Sequence, residues 1–116
     1  MKKKIRILLA DDHRMVRQGF RLILEAQSDF EVVGEAGNGR EAVELAETLK
    51  PDVVVMDVTM PELNGIEATK RIRASVPFTR VVALSVHRDA VYVREIVRSG
   101  AEGYILKESA DSELLS

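Results

Sequence analysis

The sequence predicts an α/β fold, a doubly wound five-stranded parallel sheet in the order 2-1-3-4-5 with helices on both faces. Three observations predict it. Short aliphatic runs alternate with segments of helical periodicity at intervals of roughly twenty residues, the pattern of βαβ units. The run Val53-Val54-Val55-Met56 is apolar without alternation, as a strand buried on both faces must be. Several runs end in a polar or charged residue, where strands of an open parallel sheet reach solvent.

The chain has 116 residues, enough for one domain with its own core. Hydrophobic residues make up 46% and aromatics only 4%, so aliphatic packing must supply that core. The formal net charge of −2 gives no global attraction to nucleic acid. There is no cysteine, which excludes disulfides and thiolate metal sites and fits a reducing compartment. The apolar runs are too short to span a bilayer, so no membrane association is expected. The start, Met1-Lys2-Lys3-Lys4, is basic, but Asp11-Asp12 arrives too soon for a signal peptide. A cytoplasmic location is expected.

Each element has its own justification. Ile5-Arg6-Ile7-Leu8-Leu9-Ala10 is the first strand, ending at Asp11-Asp12. Val16, Phe20, Ile23, Leu24 and Gln27 recur at helical spacing, which predicts a helix over 13–27 with Asp12 as its N-cap. Glu31–Ala36 is the second strand, and Gly37-Asn38-Gly39 a turn. Ala42, Val43, Ala46 and Leu49 mark a second helix, stopped before Pro51. Residues 53–57 form the third strand. Ile66, Thr69, Ile72 and Arg73 lie on a third helix, opened by Asn64-Gly65 and ended before Pro77. Arg80–Ser85 is the fourth strand. Asp89 can cap a fourth helix with Val93, Ile96 and Val97 inward, ended by Gly100. Gly103–Leu106 is the fifth strand, closed by Lys107, and Ala110–Ser116 reads as the opening of a fifth helix.

Chemistry follows from what ends each strand. In a parallel sheet these ends share one edge, so Asp11, Asp12, Asp57, Ser85 and Lys107 should converge there. Three close carboxylates repel one another, and a divalent cation relieves the repulsion. Hard oxygen donors without a His or Cys cluster point to Mg²⁺, with Mn²⁺ as the substitute. A dication and one lysine balance three carboxylates. An acyl phosphate of charge about −2 on Asp57 would leave the site only about one charge negative. Such a site can accept a phosphoryl group. His13 and His87 read as surface residues, and Gly34, Gly37 and Gly39 as turn residues rather than a dinucleotide motif.

Asp11-Asp12, Asp57-x-x-Met60-Pro61-x-x-x-Gly65, Ser85 and Lys107 together resemble the signature of response-regulator receiver domains, over essentially the whole chain. Leu9-Ala10-Asp11-Asp12-His13, Ser85-Val86-His87 and Gly100–Lys107 are similar to the LuxR/NarL/FixJ-type branch. The resemblance implies a CheY-like, flavodoxin-like (βα)5 fold, here with a truncated last helix. It implies that Asp57 is the phosphoacceptor for a sensor histidine kinase. It also implies that Asp11, Asp12, Asp57 and the Thr59 backbone carbonyl hold Mg²⁺, and that Lys107 pairs with the phosphoryl oxygens. Ser85 and Tyr104 would be the switch residues, and Glu108 stands where the family often has proline. Members of that branch usually carry a C-terminal helix-turn-helix domain. The expectation is therefore residues 1–116 as one receiver domain from a longer regulator, dimerising on phosphorylation and reaching DNA only through a domain absent from this chain.

Two other classes use related parts. A Mg²⁺-dependent phosphatase with an aspartyl nucleophile would want a second acid at position 59, where Thr59 stands. A flavodoxin-like cofactor binder would bring a phosphate against Asp11-Asp12, which would repel it.

Overall fold

A computed structural model describes residues 4–57, 64–85, 98 and 100–106, with the side chains of Ser85 and of 104–106 outside that description. The sheet has five strands in the order β2-β1-β3-β4-β5. They are β1 (Ile5–Ala10), β2 (Phe30–Ala36), β3 (Val53–Asp57), β4 (Arg80–Ser85) and β5 (Gly103–Leu106), all paired in parallel. Three described helices connect them: α1 (Arg14–Glu25), α2 (Gly39–Leu49) and α3 (Gly65–Ser75). The fold class and strand order match those expected. The fourth and fifth helices anticipated from periodicity fall outside the described residues, except that Arg98 is helical.

Alternate residues of β1 face opposite layers, which splits the core in two. Leu8 and Ala10 pack with Val54, Met56 and Val81 under Ala42 and Ala46 of α2 and Ala68 and Ile72 of α3. Ile7 and Leu9 pack on the other side with Val55, Leu84 and Phe20 and Leu24 of α1. Burying one such large apolar side chain stabilises by about 1.5–3 kcal/mol. Alanines at the α2 and α3 contacts let both helices sit close to the sheet. Among the described residues, no helix is long and apolar enough to cross a membrane.

Local signals explain the helix ends. Asn38 caps α2 by accepting the Glu41 N–H at 2.8 Å, and Glu41 Oε1 accepts the Gly37 N–H at 2.8 Å. Asn64 caps α3 by accepting the Glu67 N–H at 2.9 Å. α1 departs from expectation at both ends. Its N-cap is His13, with no side-chain cap bond, so Asp12 does not cap it. It also stops at Glu25, because the Gln27 N–H tightens onto the Leu24 carbonyl at 3.1 Å and ends the α-helical register. Gly34 lies in β2 rather than in a turn. The β1–β2 register shifts beside it, and a Cβ there would stand 2.8 Å from Leu49 Cδ1.

One buried polar contact ties the start of β3 to β4. Thr79 is 0% exposed, and its Oγ1 donates to the Pro51 carbonyl at 2.7 Å. Thr79→Val keeps the shape but strips that carbonyl of its donor. The expected loss is about 1–2 kcal/mol in urea unfolding; a loss near zero would show that the bond contributes nothing net.

Candidate functional site at the carboxyl edge

The winding direction reverses between β1 and β3. From β1 the chain moves outward to β2, then crosses to β3 on the other side of β1. Such a reversal leaves a crevice beyond the strand ends, where ligands of open α/β sheets bind. The register puts acids there. Ala10 pairs with Met56, so the next residues, Asp11 and Asp57, emerge side by side. The Asp11 N–H still donates to the Ala36 carbonyl of β2 at 3.0 Å, which holds Asp11 in the sheet edge.

Asp11 and Asp57 are each 2% exposed, whereas Asp12 and His13 are exposed. One ligating atom from each of the four lies within 4.8 Å of all the others. The turn is drawn in by its own backbone: the His13 N–H donates to Asp11 Oδ1 at 2.9 Å. The His13 ring Nδ1 stands 3.3 Å from that oxygen and 3.0 Å from Asp12 Oδ1. This is why α1 lacks a side-chain cap: the two acids that precede it face the crevice instead. His13 was read as a surface residue; its ring is solvent-exposed, yet it belongs to this cluster. Its position directly after Asp11-Asp12, where a strand end turns into a helix, is the signal that could have placed it there.

Two buried carboxylates so close need compensating positive charge. A donor set of carboxylate oxygens is hard, and suits a cation of the Mg²⁺ type. The residues present therefore fit a divalent ion. Of the expected site residues, Asp11, Asp12 and Asp57 come together. Leu84 pairs with Asp57, so the backbone of Ser85, the last residue of β4, lies at the same edge, opposite Leu106. Tyr104 pairs with Ala83. The side chains of Ser85 and Tyr104 lie outside the described residues, as do Lys107, Glu108, Thr59, Pro61 and His87.

The comparisons with known proteins agree with this geometry. The family model described as the response regulator receiver domain matches residues 7–116. The chain belongs to the response-regulator receiver family. It is 48% identical over 114 residues to the transcriptional regulatory protein YxjL of Bacillus subtilis, covering 98% of this chain and 52% of that protein. It is 45% identical over 105 residues to the transcriptional regulatory protein DegU of Brevibacillus brevis, covering 90% of this chain and 44% of the relative. The signal receiver domain of NarL from Mycobacterium tuberculosis superposes with a TM-score of 0.93 at 34% identity, over 97% of this chain and 91% of that one. The chain spans about half the length of the curated relatives it matches. It is a receiver domain of the kind carried by two-component transcriptional regulators of the LuxR/NarL type.

Beside the acidic crevice the receiver carries an ion-pair chain along α1. Arg17 Nε donates to Glu35 Oε1 at 3.1 Å, Arg21 NH1 donates to Glu35 Oε2, and Arg21 Nε donates to Glu25 Oε1 at 3.1 Å. The Arg21 hydrogen bond, with Arg17 behind it and burial opposing, holds the Glu35 carboxyl below its ordinary range. Glu35 and then Glu25 raise Arg21 in return. Because Glu35 is depressed in the folded state, its contribution is complete above the unfolded value near 4.5 and disappears as pH falls through the folded one. Glu35→Gln should therefore cost about 1 kcal/mol at neutral pH, the partly exposed pair being screened by solvent. The gap to the parent protein in urea midpoint should close on acidification from pH 5 to pH 3, roughly the carboxylate range. A gap that stays constant would refute the linkage.

Proposed function

We infer that the chain is a phosphoacceptor switch, modified on Asp57 by a phosphohistidine of a sensor histidine kinase. The observation that carries this is the meeting of Asp11, Asp12 and Asp57 at the switch-point edge, with Asp57 2% exposed at the end of a central strand. A carboxylate is already ionised and needs no general base. One Asp57 oxygen attacks phosphorus, an O–P bond forms, the P–N bond of the donor breaks, and the imidazole leaves with its electron pair. Asp11, Asp12, Asp57 and the Thr59 carbonyl are the residues that would hold Mg²⁺ or Mn²⁺. Bound there, the ion supplies positive charge opposite the developing charge on the phosphoryl oxygens. Lys107 would pair with those oxygens.

The receiver is a switch rather than an enzyme acting on an external substrate. The Ser85 hydroxyl would close on the new phosphoryl group and Tyr104 would turn inward, reshaping the β4–β5 face as a two-state element. Ser85 and Tyr104 stand on adjacent strands, which supports this reading. In a longer regulator that face would govern homodimerisation and a C-terminal DNA-binding domain, in the cytoplasm, with residues 1–116 forming the receiver unit. Intact-mass analysis after acetyl phosphate and Mg²⁺ tests the reading. One added phosphoryl group is expected; no addition, under conditions that keep the protein folded, ends it.

A further inference from the structure

The loop after β1 keeps Asp11, Asp12 and His13 in one turn. A loop crowded with like charges spreads unless its backbone is fastened. Arg17, one turn into α1, fastens it. Its NH1 donates to the Asp11 backbone carbonyl at 2.7 Å while its Nε donates to Glu35 Oε1 at 3.1 Å. Both side chains are well covered, 17% and 22% exposed. The guanidinium lies close over the Gly37 backbone, where a Cβ would stand 3.4 Å from Arg17 NH1, at ordinary contact distance. One rigid, planar fork thus spans from the end of β1 to the end of β2, a reach that a point-charge lysine does not copy. The Asp11 carbonyl belongs to the Asp11–Asp12 peptide, which is planar. Holding that oxygen sets the peptide plane, and so the direction in which Asp12 leaves the chain.

We propose that Arg17 is a positioning residue for the acidic site, setting the Asp11–Asp12 peptide so that both carboxylates meet a divalent cation. This rests on the metal-binding reading above. Contacts that orient ligands in this way change metal affinity on the order of tenfold or more when removed. The plain structural account is that Arg17 only pins α1 to β2. Arg21 separates the two, because it also ties α1 to Glu35 of β2 but has Glu25 of its own helix as its other partner in place of the Asp11 carbonyl.

The experiment is a Mn²⁺ titration followed by the electron paramagnetic resonance of the free ion. It is run on the unsubstituted protein, Arg17→Ala, Arg17→Lys and Arg21→Ala, with urea unfolding of each in metal-free buffer. Arg17→Ala should weaken Mn²⁺ binding on the order of tenfold, and Arg17→Lys should recover part of it. Arg21→Ala should lose comparable stability with binding unchanged. Equal binding in Arg17→Ala and the unsubstituted protein overturns the inference, as does equal weakening in Arg17→Ala and Arg21→Ala. If Arg17→Ala does not fold, Arg17→Lys decides: weaker binding than the parent supports the inference, and equal binding overturns it. If the unsubstituted protein binds no Mn²⁺, the metal reading itself fails, a result distinct from the others.

Discussion

Asp57→Asn is expected to reduce phosphoryl incorporation from acetyl phosphate to background, while the protein stays folded. Asparagine keeps the size of the side chain at a position that is 2% exposed, so packing is preserved. It removes the ionised oxygen that must attack phosphorus, and an amide has no comparable nucleophile. It also takes one negative charge out of a cluster whose ligating atoms lie within 4.8 Å of one another. In metal-free buffer the urea midpoint should therefore not fall. Intact mass reads the first effect and circular dichroism in urea the second. Full labelling of the variant would move the acceptor to another residue and undo the assignment.

Leu8→Ala should be the most damaging single truncation of the fold, at about 3–5 kcal/mol. Leu8 is 0% exposed, in the middle of the interior strand β1, within the core layer under α2 and α3. Its Cδ1 also lies 3.3 Å from where a Gly34 Cβ would be, so β1 and β2 close on each other there with little slack. Close-packed strands relax poorly into a cavity, which keeps the cost high. Against a typical total of about 5–15 kcal/mol, such a loss leaves the domain marginal. Leu22→Ala is the contrast: Leu22 is 74% exposed and its truncation should change stability by less than about 0.5 kcal/mol. A Leu8→Ala cost as small as that would mean that β1 is not close-packed under α2 and α3. Because β1 also carries Asp11 and Asp12, a loosened β1 should weaken cation binding along with stability.

Much of this was legible in the residues. Apolar runs without alternation identify buried parallel strands, and Val53–Asp57 keeps its expected limits. The acids at strand ends point to the edge where Asp11, Asp12 and Asp57 meet. The misreadings share a cause. Asp12 resembles a helix cap when only neighbours in sequence are considered. That judgement changes once β3 brings Asp57 alongside, because the crevice then competes with the helix end for the same side chain; His13 is at the surface as read, but it also joins the acidic cluster. Gly34 looked like punctuation, but a side chain there would press on Leu49, fifteen positions later, and on Leu8 of the neighbouring strand.

Local chemistry alone therefore determined the fold class and the acids of the site, since periodicity and strand-end residues are written along the chain, whereas the strand order is realised only in the pairing of the sheet. What only the tertiary structure decided was which neighbours serve those acids: the His13 ring beside them, and the Arg17 fork between Asp11 and Glu35. Those contacts link three elements separated in sequence. Their geometry depends on how α1 lies against β1 and β2, a packing angle that no spacing of residues encodes.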